Sequence, residues 1–168
     1  MPINLHLVSS TSEDNSVNTV KSAKEYCDQN KIPYEEVTVT NSSEVKQAAE
    51  TLAGKVDGIF IPNDSVIQSA MTTVTEVARD KKIPVYGSSK AMVLSGAFAT
   101  VAISDTKIGK LTAQMGLKYL KDGTAVKDIP SVVVPAEETV INQNTLDALG
   151  VTVPDDIKNS AIIVNDAE

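Results

Sequence analysis

The sequence predicts an α/β fold in which a parallel sheet is wound on both faces by helices, giving three layers. Two observations carry that expectation. The first is the stretch Val56-Asp57-Gly58-Ile59-Phe60-Ile61-Pro62-Asn63-Asp64. Its apolar run is short, rich in β-branched and aromatic residues, and closed by Pro and two helix-capping polar residues, so it reads as a strand buried on both faces. Strands of that kind belong to parallel sheets covered by helices. The second is strict alternation of strand and helix patterns on either side of this stretch, which implies right-handed crossovers between parallel strands.

In chain order, residues 3–8 are apolar and alternating enough for a first strand, with His6 inside it as an ordinary strand residue. A loop of hydroxyls follows, Ser9-Ser10-Thr11-Ser12-Glu13-Asp14-Asn15-Ser16, running into a helix whose apolar face is Val17, Val20, Ala23, Tyr26 and Cys27. Thr11 and Asp14 have the spacing of a capping box. Pro33 restarts the chain, and residues 34–39 form the second strand. Asn41 and Glu44 again have capping-box spacing. The helix after them carries Val45, Ala48, Ala49 and Leu52 on one face, with Gly54 as its left-handed C-cap.

The central strand comes next, and the residues 63–65 cap one long helix with Val66, Ile67, Ala70, Met71, Val74, Val77 and Ala78 on its buried side. Lys81 and Lys82 sit at the carboxyl end, where the helix dipole favours cations. Ile83-Pro84-Val85-Tyr86 is the fourth strand. Proline cannot donate to a ladder, so pairing is expected from Val85 onward. Residues 90–94 read as a single helical turn, 97–103 as a fifth strand, and Asp105 as the cap of a helix over 106–121. Gly109 and Gly116 lie seven apart in that helix and suggest its close approach to the sheet. Short extended pieces are expected at 131–134 and 140–142, a helix at 144–149 ending at Gly150, and a last strand at 161–164.

For five parallel strands in this alternation the commonest order is 2-1-3-4-5, the flavodoxin-like arrangement, whose ligands sit at the carboxyl rim where the first and third strands meet. That places Ser10 and Ser12 beside Asn63 and Asp64, with Gly87, Ser88 and Asp105 further along the same edge.

Composition narrows the chemistry. The 168 residues are 42% hydrophobic, enough for one globular domain with its own core. Fifteen Lys plus Arg stand against 22 Asp plus Glu, a net charge of -7, so a nucleic-acid partner is disfavoured. One cysteine excludes an internal disulfide, and one His with one Cys leaves neither a metal site nor a nucleophilic triad to assemble. No cofactor is expected. A flavin phosphate would meet Glu13 and Asp14 in a loop without glycine, and a phospho-accepting receiver would need acidic residues where Ser9 and Ser10 stand. Asp64 remains the only candidate acceptor for that third, receiver-like reading. No apolar run approaches the roughly 18 residues of a membrane span, and no basic and apolar leader opens the sequence, so a cytoplasmic location is expected for the chain as written.

The runs SSTSEDNS, NSSEVKQAAETLAGKVDGIFIPND, KKIPVYGSS, SGAFATVAIS and VINQNTLDALGVTVP closely resemble the carboxyl-terminal half of ABC-transporter solute-binding proteins, in the branch associated with aromatic amino acids. The resemblance implies a single periplasmic-binding-protein-like lobe of a two-lobed, non-catalytic receptor. Such receptors work outside the cytoplasm, often anchored by lipid, and deliver a small ligand to an ABC permease. It puts Ser10, Ser12, Asn63, Asp64, Gly87 and Asp105 on the cleft face, with Asp64 or Asp105 for a ligand ammonium and Ser10 or Ser12 for its carboxylate. The lobe is expected over residues 1–138. Residues 139–168 resemble a return segment that would fold back on the domain, swap between chains or fray, leaving monomer and swapped dimer both open. Without a first lobe, a weak ligand affinity or none is expected. The other reading is a structural or engineered flavodoxin-like domain with no ligand function.

Overall fold

A computed structural model describes residues 4–10, 13–52 and 56–167. Seven strands form one sheet in the order β2-β1-β3-β4-β5-β6-β7. They are β1 (Leu5–Ser10), β2 (Tyr34–Val39), β3 (Gly58–Phe60), β4 (Val85–Tyr86), β5 (Ala99–Ala102), β6 (Glu138–Asn142) and β7 (Ile162–Val164). The first five are parallel in the expected order, so β1 and β3 lie side by side at the switch point. The sheet then extends past that order, because β6 runs antiparallel to β5 and β7 parallel to β6. The segment from Thr139 therefore folds back on this domain, continuing its sheet.

The helices are α1 (Asp14–Asn30), α2 (Ser42–Leu52), α3 (Ser65–Gln68), α4 (Met71–Asp80), α5 (Lys90–Leu94), α6 (Asp105–Leu120), α7 (Gln143–Leu149) and α8 (Asp155–Ser160), with a 3-10 turn at Val126–Asp128. Register sorts the side chains into two faces, since paired residues point the same way and neighbours along a strand alternate. One face carries Val8, Ile59, Val85 and Val140. These pack with Val45 and Ala49 of α2, Ile67 of α3, Met71, Val74 and Ala78 of α4, and Met92 and Val93 of α5 in a single buried cluster. The other face carries Leu7, Phe60, Tyr86, Ala99 and Ile141, which are register partners. There α1 packs on β1, and its Val17 and Val20 share a hollow with Ser9 and Thr38.

Several boundaries differ from the sequence reading, each for a local reason. β1 runs on through Ser9 and Ser10, which stay paired with Thr38 and Val39, so these serines belong to the strand and not to the loop. Thr11 and Gly54 lie outside the described residues. Asn41 does cap α2: its Oδ1 accepts from the Ser43 and Glu44 amides, while the Glu44 carboxylate accepts from the Thr40 amide at 2.8 Å. The helix expected to be continuous after Asp64 is two, α3 and α4. The Ser69 hydroxyl donates to the Val66 carbonyl at 2.7 Å and the Ala70 amide to Ile67, which tightens the last turn of α3 and ends it.

The cap of α6 is Ser104, whose Oγ accepts from the Lys107 amide, with Asp105 in the first turn. The expected close approach of α6 to the sheet is corrected outright. A Cβ on Gly109 or Gly116 would meet nothing within 4 Å, and no α6 residue is buried. Residues 131–134 form no strand. Neither α8 nor the 3-10 turn was expected. Gly96 is constrained on two counts: it sits at φ 100°, and a Cβ there would fall 2.7 Å from Thr75 Oγ1.

Three substitutions test this packing by urea denaturation. Ile61 has no exposed surface, so Ile61→Ala is expected to cost about 2–5 kcal/mol. Gly96→Ala should cost more than about 1 kcal/mol, whereas Gly116→Ala, with open space around it, should leave stability unchanged or raise it by up to about 1 kcal/mol.

Candidate functional site

The carboxyl ends of β1, β3 and β4 meet on one rim, and a buried carboxylate ties the first two together. Asp64 is 1% exposed. Its Oδ1 accepts from the Val66 and Ile67 amides at 3.0 and 3.2 Å, which caps α3. Its Oδ2 accepts from the Ser10 amide at 2.8 Å and the Ser16 hydroxyl at 2.7 Å. One side chain thus joins the end of β1, the first turn of α1 and the start of α3. Burial by itself would push this carboxyl upward, but the donors on Ser10, Ser16 and Ile67 outweigh it and hold the group below the usual carboxylate range.

Around this knot the loops are cross-tied. The Asn15 side-chain amide donates to the Asn63 carbonyl at 2.6 Å, and the Glu13 carboxylate accepts from the Ser65 amide at 3.0 Å and from its hydroxyl. Ser88, at the end of β4, donates to the Ile61 carbonyl at 2.8 Å. Gly87 is buried and close to Met92, where an added Cβ would stand 2.8 Å from Met92 Cβ. Its amide donates to Ala99. These bonds tie the end of β1 to the loop after β3, the loop after β4 to the end of β3, and Gly87 to β5.

The six residues that the sequence pointed to therefore fare differently. Ser10 and Asp64, 54 positions apart, are brought into hydrogen-bond contact. Both are buried and bonded to each other, so they build the rim and offer little to a ligand. Asn63 is exposed with its side chain at the edge, Gly87 contributes backbone only, and Asp105 is exposed at the start of α6. Ser12 lies outside the described residues. Sequence reasoning passed over Glu13 and Ser16 as partners. The signal was present in part: an acidic residue and a hydroxyl flank the same helix start, but no local rule says they reach a helix cap some fifty residues on.

A hollow of about 680 Å³ adjoins the rim at Gly87 and Ser88 and runs over the sheet, lined also by Phe60, Tyr86, Phe98, Val101, Ile141 and Ile157 among others. Among the described residues no group of three or more His, Cys, Asp or Glu could hold a metal, and no helix is long and apolar enough to cross a membrane.

The chain was compared with known proteins. Residues 3–165 match the family model described as ABC transporter substrate binding protein. A tyrosine-binding protein from Clostridioides difficile strain R20291 is 37% identical over 143 residues, 85% of this chain and 41% of that protein. Among solved structures, an ABC domain from Streptococcus pneumonia in complex with L-Trp superposes with a TM-score of 0.85 at 30% identity, covering 96% of this chain and 54% of the other. The ligand-free, open structure of a substrate binding protein with adhesive properties from Clostridium difficile gives a TM-score of 0.81 at 32% identity, over 98% of this chain and 55% of that one. The chain thus spans about half the length of these solved relatives.

Asp64 makes the rim sensitive to acid. Because its folded carboxyl titrates below the ordinary value of about 3.9, its stabilisation is complete above that value and lost as pH falls through the lower folded one. Asp64→Asn puts an amide donor against the Ser10 amide and the Ser16 hydroxyl. It should cost roughly 2 kcal/mol at neutral pH and flatten the fall of stability with acid, both read from urea midpoints across the acid range.

Proposed function

We propose, because the chain belongs to the ABC transporter substrate binding protein family, that its polar rim is one wall of a cleft that takes an aromatic amino acid for import. The carrying observation is the rim's construction. Three loops from β1, β3 and β4 are held together by hydrogen bonds of Asp64, Glu13 and Ser88 made within the fold, and an edge cross-tied in this way lowers the cost of ordering a site on binding. The names of the relatives supply the ligand class, tyrosine for one and tryptophan for another.

The roles follow from what is already bonded. Asp64 has four donors on its two oxygens, so the ammonium of a bound amino acid is assigned to the exposed Asp105 and not to Asp64. Asn63 offers an exposed side-chain amide to either end of the ligand. Ser12 keeps its proposed contact with the carboxylate. The Ser10 hydroxyl is engaged with Asp64 and acts by holding Asp64 in place.

This wall supplies polar contacts, and the ligand ring would be held by a facing lobe, as in a two-lobed receptor of which this chain is the second lobe. Contact with an ABC permease and a place outside the cytoplasmic membrane belong to the same reading. No step of chemistry is assigned to the rim: it binds and releases. Half a cleft leaves much of the ligand wet, so the affinity of this chain alone should be weak.

Amide chemical shifts measured while adding L-tyrosine or L-tryptophan test this. Perturbations should gather at Asn63, Ser88 and Asp105, be absent with a sugar of similar size, and weaken in Asn63→Ala and Asp105→Asn. An unmoved spectrum at millimolar amino acid would remove the reading.

A further inference from the structure

Residues 155–167, which comprise α8, β7 and the stretch just past it, bury little apolar surface. No residue of α8 is buried, and Ile157, Ile162 and Ile163 are 39 to 43% exposed. Ala161 is partly buried on the small cluster of Phe98, Ile141, Leu146 and Leu149, and Val164 is partly buried on the main core. Backbone pairing to β6 spans three residues. Burial of that extent returns little free energy, so the segment depends on something else.

The anchor is polar and lies beyond β7. Arg79 of α4 donates from its two terminal nitrogens to the two oxygens of Asp166, at 2.8 and 2.7 Å. The same guanidinium donates from Nε to the Thr145 hydroxyl at 2.9 Å and from Nη2 to the Gly96 carbonyl at 3.3 Å. Asn142 has no exposed surface, and its side-chain amide donates to Asp166 at 2.8 Å and to the Val93 carbonyl at 2.7 Å. The backbone joins in: the Asp166 amide donates to the Asn144 side chain at 3.0 Å and the Ala167 amide to the Leu94 carbonyl at 2.8 Å. Residues of α4, β6 and α7 thus converge on Asp166. A lone surface ion pair contributes almost nothing, but this one is bidentate, belongs to a network, and has its Arg79 side chain only 22% exposed. Gly96 makes room for it, since a Cβ there would also stand 2.9 Å from Arg79 Nη2.

The same segment borders the hollow. Val151, Thr152, Val153, Pro154 and Ile157 line one side of it, and Ile141, which also lines it, is the register partner of Ile163 in β7. We propose that residues 155–167 are a strap whose catch is the Arg79–Asp166 pair, and that releasing the catch lifts the strap from β6 and bares this side of the hollow while the five parallel strands stay folded. Few buried contacts and an anchor concentrated at one end are what a locally opening unit has. The inference does not rest on the amino-acid reading, because Asn63, Asp64 and Asp105 take no part in the catch.

Amide exchange of the whole chain, followed by NMR, tests this. In the unaltered protein the Asp166 and Ala167 amides should exchange at least about tenfold faster than those of Ile59 and Ile61, which are bonded to β4. Asp166→Asn keeps the size of the side chain and removes its charge. It should speed the strap amides by a further factor of about ten and leave Ile59 and Ile61 unchanged. Arg79→Lys keeps the charge but loses the fork, and should act in the same direction to a smaller degree. Thiol labelling reads the hollow: in an Ile141→Cys variant the new thiol should react with iodoacetamide about tenfold faster once Asp166→Asn is added, while Cys27, 2% exposed in α1, stays protected. Strap amides as slow as Ile59 in the unaltered protein, an Asp166→Asn variant that speeds every amide alike or none, or Cys27 reacting in step with the Ile141→Cys thiol would each overturn the proposal.

Discussion

A carboxylate with almost no exposed surface must have its oxygens filled, and at Asp64 that requirement organises the whole carboxyl edge of the sheet. Four donors from three elements converge on it. Because removing a charged partner from a buried site costs far more than an exposed contact returns, the ends of β1 and β3 are fixed relative to each other by this group. The parallel pairing of Leu5, His6 and Leu7 with Gly58, Ile59 and Phe60 brings them near; Asp64 sets the final approach. Glu13 and Ser88 then add ties to the neighbouring turns.

The same arrangement separates building from binding. Ser10 and Asp64 look like binding residues because they are polar and lie at the rim, but their capacity is consumed within the fold. What remains exposed along this edge is Asn63 and Asp105, held on a frame bonded within the fold. On the reading proposed above, that division suits a receptor, since ordering the site at the moment of binding would cost affinity. Burial is likewise uneven across the sheet. One face has a continuous core from α2 to α5, while the other is covered by α1 over β1 and carries a smaller buried cluster of Phe98 and Ile141 with Leu146 and Leu149 of α7.

Much of the fold was legible because it is written in short-range patterns. The strand bounds at Tyr34–Val39 and Val85–Tyr86 follow from β-branched content and from a proline that cannot donate. The Asn41 cap follows from its spacing to Glu44, and the 2-1-3-4-5 order from the alternation of elements. The errors also have local causes. Gly109 and Gly116 share a helix face, which is equally what a helix with nothing against it shows. Ser69 breaks a helix through a hydroxyl bond that competes with the ladder, a competition that depends on the rotamer and not on residue type alone.

The sequence by itself determined the element types, the parallel sheet, the acidic surface and the choice of polar residues at the strand ends, because each is set by composition or by periods of two and 3.6 residues along the chain. Only the tertiary structure decided which of those polar residues are spent on each other, that Glu13 serves the start of α3, that residues 138–164 extend the sheet, and that no residue of α6 is buried. Those outcomes turn on contacts between positions some thirty to fifty residues apart, or on their absence. Periodicity carries no information at that range: it says which side of an element is apolar, and not what comes to lie against it.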